Sequence, residues 1–171
     1  MNPFIEKMIR AAKLDVNLYE EVEADKSALL DSMLVVVLAS VAGGIGTIGR
    51  VGGTGIITGT LAALIGWLIW SYVTFIIGTK LMPTPETKAD YGELLRTIGF
   101  SSSPGLIRVL GIIPGLSGIV TFVASIWMLV TMVVAVRQAL DYTSTPRAVG
   151  VCIIGWIIQA VVFGIFYSMF K

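Results

Sequence analysis

Two polar side chains, Arg108 and Gln159, stand inside otherwise apolar runs, and any chemistry in the interior of this chain would have to use them. An arginine within a membrane span needs a partner, a wet cavity or reach to the headgroups. Arg108 is therefore either a snorkelling or structural cation, or a contact for lipid or substrate. A mid-span amide usually hydrogen-bonds to a neighbouring helix, so Gln159 suits helix packing first and a polar pathway second. Covalent chemistry has little to work with. There is no histidine, Cys152 is the single cysteine and sits in an apolar run, and Ser101, Ser102 and Ser103 have no base beside them in sequence. Glu20, Glu21, Glu23 and Asp25 could hold a divalent cation. A solvated face that favours the positive N-terminal end of the following helix is the plainer reading. Neither an enzyme, a cofactor nor a metal centre is expected.

The elements that must position these residues are long apolar runs. Hydrophobic residues make up 56% of the 171-residue chain and charged ones 13%, and the mean hydropathy is +0.89. A soluble domain carries about 25% charged residues; this composition belongs to a chain embedded in a bilayer. The net charge of +1 excludes a phosphate-neutralising surface, so nucleic acid is not an expected partner. A hydrocarbon core needs about 20 apolar residues as helix. The expected spans are about 32–49, 56–79, 94–113, 119–136 and 148–170, forming an all-α polytopic bundle. The third is ambiguous: it begins near Leu94 and bends at Pro104, or begins at Pro104 itself. Arg108 then lies about 21 Å or about 6 Å from the start of its helix.

Basic residues orient the bundle. With five spans and a cytosolic N-terminus, one side holds Lys7, Arg10, Lys13, Lys26, Lys80, Lys88, Arg96, Arg137 and Arg147, and the other only Arg50 and Lys171. No secretory signal opens the chain. Residues 1–30 are expected to form a cytosolic amphipathic segment, with Phe4, Ile5, Met8, Ile9, Ala12, Val16 and Tyr19 at helical spacing, and 31–171 the membrane domain. Acidic residues outnumber basic ones in that segment, so it should pack under its own bundle or dock a partner protein rather than bind anionic lipid. Glycines crowd the stretch Gly43 to Gly59, which suits a turn or close helix approach; the GxGxxG at Gly44 to Gly49 lacks a preceding strand pattern and reads as coincidence. Small residues four apart (Ala39/Gly43, Ala42/Gly46, Gly55/Gly59, Ala62/Gly66, Gly111/Gly115) permit backbones to approach. Trp67, Trp70, Trp127 and Trp156 read as packing groups or interfacial anchors.

Ordered fragments carry a resemblance. They are Ala11-Ala12-Lys13-Leu14-Asp15, Tyr19-Glu20-Glu21-Val22-Glu23, Leu94-Leu95-Arg96-Thr97-Ile98-Gly99-Phe100 with Pro104, Ile113-Pro114, Trp127, Val136-Arg137-Gln138-Ala139-Leu140 and Arg147-Ala148. In order and spacing the chain resembles the prokaryotic branch of the Yip family of Ypt/Rab-interacting membrane proteins. The resemblance implies a five-span bundle with a cytosolic N-terminus and no catalytic residues. Eukaryotic members resemble trafficking factors that bind Rab GTPases; in place of their Asp-Leu-Tyr-Gly-Pro motif this chain has Asn17-Leu18-Tyr19-Glu20-Glu21.

The expected function is a non-enzymatic scaffold or accessory subunit in a prokaryotic cytoplasmic membrane, partnered by lipids and other integral membrane subunits. A small transporter or lipid-handling protein is the alternative, weakened by the absence of Asp or Glu from every span. A third reading is an anchor that recruits a cytosolic protein through residues 4–25. Candidate lipid or partner contacts are Arg96, Arg108, Arg137 and Gln159. Candidate recognition residues are Asp15, Tyr19, Glu20, Glu21 and Glu23, and candidate packing glycines are Gly55, Gly59, Gly111 and Gly115.

Overall fold

The computed structural model describes residues 2–169, with side chains excepted at Val51 and 162–169. Lys171 and Phe170, the last residue of the expected fifth span, lie outside the described residues. Seven α-helices account for most of the rest: α1 (Pro3–Ala12), α2 (Val16–Ala24), α3 (Ala28–Gly46), α4 (Ile48–Ile76), α5 (Tyr91–Phe100), α6 (Ser117–Ala139) and α7 (Thr145–Met169). A π-helical turn, Ile77–Leu81, prolongs α4, and a 3-10 helix, Ser103–Ile112, follows α5. Among the described residues, three helical stretches, Ala28–Gly46, Gly52–Leu81 and Ser117–Ala139, are long and apolar enough to cross a membrane.

Local chemistry sets the ends. The Asn2 side chain accepts from the Phe4 amide with Pro3 in the first turn, and Asp15 accepts from the Asn17 amide. Leu14, at φ +64°, reverses the chain between α1 and α2. Asp90 and Glu93 form a reciprocal capping box on α5. The glycine-rich stretch is helical on both sides of Thr47, and Gly52, at φ +64°, kinks the start of α4 where only glycine is unstrained.

The third apolar segment is not one α-helix. It is α5, a break at Ser101–Ser102, then the 3-10 helix with Pro104 in its first turn, so a helix already precedes Pro104 and the chain changes its helical form there. Pro104 has no amide hydrogen with which to continue the ladder. The Ser101 and Ser103 hydroxyls donate to the carbonyls of Ile98 and Phe100, and Thr131 Oγ1 donates to Ser101 O. Those hydroxyls satisfy a buried break in the backbone, which is a structural task rather than a nucleophilic one.

This composite segment runs parallel to α3. Gly99 faces Ser32, Gly105 faces Ala39, and Gly111 faces Gly46. Twelve residues (111 − 99) thus keep pace with fourteen (46 − 32) of α3. The 3-10 rise of about 2.0 Å per residue, against about 1.5 Å in an α-helix, makes up the difference. Close backbone approach is the reason glycine occupies both Gly46 and Gly111, as the small-residue spacing anticipates. Gly115 does not share that role. It sits at φ +85° with no atom within 4 Å of where a Cβ would stand, so it shapes the turn before α6.

The N-terminal hairpin α1–α2 belongs to the same packed body. Met8, Ala11, Leu18, Tyr19 and Val22 form one core with Ala28, Val35, Phe100 and Ala135. Burial of each large apolar group from water there is worth about 1.5–3 kcal/mol. A second core joins Val36, Trp67, Ile77, Leu94, Val136, Leu140 and Val151 across α3 to α7. There, polar pins assist packing: Trp67 Nε1 donates to Leu95 O at 3.0 Å, and Tyr142 Oη to Met82 O at 2.7 Å.

Candidate functional site

A cavity of about 500 Å³ lies between α3, α4, α5, the 3-10 helix, α6 and α7. Its wall is chiefly apolar, with Ile98, Met128, Leu129, Met132, Trp67, Trp70 and Trp156 among the lining groups. Arg108, Ser125 and Gln159 contribute polar groups. Gly66, Trp156 and Gln159 are exposed, so the cavity opens sideways at the lipid-facing flank of α4 and α7.

Arg108 lies beside Gly43, whose missing side chain leaves room for the guanidinium along α3. Gly43 is fifteen residues beyond Ala28, about 22 Å along the helix. Measured along α3, Arg108 thus stands nearer the placement of about 21 Å than that of about 6 Å. From the opposite pole, Ser125 is eight residues into α6, about 12 Å deep. Arg108 Nη2 donates to Ser125 Oγ at 3.3 Å, while Nε is buried without a partner. Among the described residues no carboxylate lies within 4 Å of Arg108.

The sequence did not single out Ser125 or assign the tryptophans to a cavity. Trp67 and Trp127 do serve as packing anchors, with Trp127 Nε1 donating to Ala12 O at 2.7 Å. Trp70 and Trp156 stand 6.5 Å apart between ring centroids, and the Trp70 N–H is buried without an acceptor. No local signal marks this cavity, because its wall is assembled from six elements.

The charged pole is organised differently. Arg96 is 5% exposed, and its Nε donates to Val22 O at 2.9 Å and Glu23 O at 3.1 Å, with Nη2 also on Glu23 O. It therefore satisfies the orphan carbonyls at the end of α2; expected as a lipid or partner contact, it is sealed inside instead. Arg137 donates to Tyr142 O, Thr143 O and Thr145 Oγ1, which shapes the α6–α7 turn. Tyr19 is fully buried with its hydroxyl on Ala11 O, so its side chain is not presented to a partner.

The acidic residues likewise disperse. Glu21 and Asp15 both pair with Arg10, Glu20 accepts from Gln138, and Asp25 accepts from Ser27. Arg10 holds the Asp15 and Glu21 carboxyls below their ordinary range, the hydrogen bond being the main cause. Among the described residues no group of three ligating side chains could hold a metal ion.

Glu23 is the exception in environment. It lines a second hollow of about 490 Å³ with Glu20, Glu93, Arg137, Gln138 and Asp141. Burial, then Glu93, Asp141 and Glu20, push its carboxyl up to about 7 from an ordinary 4.5, against an opposing pull from Arg96. A raised acid binds its proton more tightly in the folded state, so its contribution is present at low pH and is lost as pH rises from 4.5 through about 7. Glu23→Gln should therefore stabilise the protein at pH 8 by about 1 kcal/mol, allowing for solvent screening. The gain should vanish near pH 4. Thermal unfolding at the two pH values measures it, and equal melting shifts at both would contradict the assignment.

Membrane-length apolar helices, an apolar lateral cavity and a segregated charged pole define a polytopic helical membrane protein. The Yip1 domain matches residues 18–166, and the chain belongs to that family. No curated protein and no solved structure matches it.

Proposed function

We propose that this chain is a non-enzymatic scaffold or accessory subunit that assembles with another integral membrane protein. One observation carries the reading. Gly52 and Gly59 on α4 have no atom within 4 Å of where a Cβ would stand, whereas Gly46, Gly99 and Gly111 are filled by the chain's own packing. With Gly55 and Ala62 they form a small-residue face of the kind that lets helices of different chains approach closely. The α4 residues Ile65 and Ile69, more than half exposed, flank that face.

Five crossings, a cytosolic N-terminus and a prokaryotic cytoplasmic membrane complete the proposal. The parallel run of α5 and the 3-10 helix beside α3 supports the third crossing. Basic groups gather with α1 and α2: Arg96 reaches α2, Gln138 beside Arg137 reaches Glu20, and Arg147 reaches Pro83 O. Recruitment of a cytosolic protein by residues 4–25 would have to use outward groups such as Glu6, Lys13 and Glu20.

Purification of the tagged full chain in mild detergent should recover a stoichiometric membrane partner. Gly59→Leu should reduce that recovery at least tenfold while thermal stability holds. A chain that elutes alone under every mild condition would sink the scaffold reading.

A further inference from the structure

The cavity around Arg108 carries an inference independent of assembly. A guanidinium sits about 12 Å inside the bundle from the end where α6 begins, with one serine hydroxyl as its side-chain partner and its Nε unpartnered. The sequence offers no internal counter-ion: no Asp or Glu occurs between Asp31 and Glu86, between Glu93 and Asp141, or after Asp141. Arg108 is half-buried with no ionic partner among the described residues, an unfavourable setting for a charge that an anion from outside the chain would relieve. Guanidinium forks match tetrahedral phosphate oxygens by paired N–H donors.

The shape of the cavity selects among phosphates. Its rim includes the exposed residues Gly66, Trp156 and Gln159 on the apolar helices α4 and α7, and its wall is chiefly apolar, with Met128 and Met132, alongside the hydroxyls of Ser40, Ser101 and Ser102. Gln159, fourteen residues into α7 (159 − 145), lies about 21 Å from the charged pole, level with Arg108. The one cation among the described wall residues and the Gln159 amide thus stand at one level of the cavity, and the rest of the wall is mostly apolar with a few neutral hydroxyls. That is the polarity of a lipid of the leaflet farther from α1, with headgroup at Arg108 and acyl chains directed towards Trp67 and Trp70. We propose that this cavity binds the phosphate group of an anionic membrane lipid, with Arg108 as its counter-ion.

The tryptophans in the wall supply the readout. The full chain in nonionic detergent is titrated with dihexanoylphosphatidylglycerol, dihexanoylphosphatidylcholine or inorganic phosphate while intrinsic fluorescence is followed. Saturable binding of the glycerol lipid is expected, with the choline lipid at least tenfold weaker because its own cation competes for the phosphate. Arg108→Gln should weaken the glycerol lipid at least tenfold. Ser125→Asp supplies a carboxylate beside Nη2 from within, and should abolish lipid binding while the melting temperature holds or rises. This second variant keeps the test decisive if Arg108→Gln fails to accumulate. Equal binding of the two lipids, or wild-type binding by either variant, would overturn the proposal. Inorganic phosphate that saturates the signal as tightly as the glycerol lipid would assign the site to the free anion and overturn the lipid claim.

Discussion

Gly46→Ala should clearly lower the melting temperature and the yield of folded protein, while Gly59→Ala should leave both unchanged or slightly higher. At Gly46 an added Cβ falls on the Arg108 carbonyl oxygen, with Gly111 Cα 3.5 Å away. Both obstacles are backbone, so no rotamer change relieves the clash. Relief requires α3 and the 3-10 helix to separate, which opens a close backbone-to-backbone contact. Overpacking of this kind costs about 3 kcal/mol, at the upper end of measured insertions, against a total stability of about 5–15 kcal/mol. At Gly59 the space is open and alanine is the better helix former by about 1 kcal/mol. Fluorescence-detected size-exclusion profiles of the two variants provide the comparison. Equal, monodisperse yields would refute the close approach of Gly46 to the 3-10 helix.

Arg96→Met should release the N-terminal hairpin. The substitution keeps an apolar stem of similar length but leaves the carbonyls of Val22 and Glu23 without their donor at the end of α2. A buried acceptor stripped of a charged partner costs about 3 kcal/mol. That energy is comparable to what one large apolar side chain of the hairpin contributes by burial. The expected sign is rapid proteolysis in the link between α2 and α3, at 25–27, with the membrane-embedded fragment intact. Arg96→Lys should rescue only in part, because a single ammonium replaces a fork that spans two carbonyls. Resistance of Arg96→Met to protease would show that apolar contacts of Leu18, Tyr19 and Val22 hold α2 unaided.

Arg96 also marks the limit of what could be read in advance. Its type and position suggest a headgroup contact, yet it binds backbone atoms seventy-three residues earlier. Carbonyls are present at every residue, so such a partner leaves no trace in amino-acid type. Tyr19 shows the same limit in reverse. Its helical spacing placed it on an amphipathic face, and only packing against Phe100 and Ala135 decided that the face turns inward. Gly111 and Gly115 have identical chemistry and lie four apart, but one meets a neighbouring backbone and the other bends the chain.

The sequence by itself determined that the chain is a membrane helical bundle of the Yip family and that none of its expected spans carries an acid. Those properties depend on composition and local periodicity, which need no knowledge of neighbours. Only the tertiary structure decided the depth of Arg108, the filling of one glycine face and not another, and the cavity that six elements enclose. Each depends on the register between distant helices, and that register is set by backbone contacts such as Gly46 against Gly111, which no window of sequence contains.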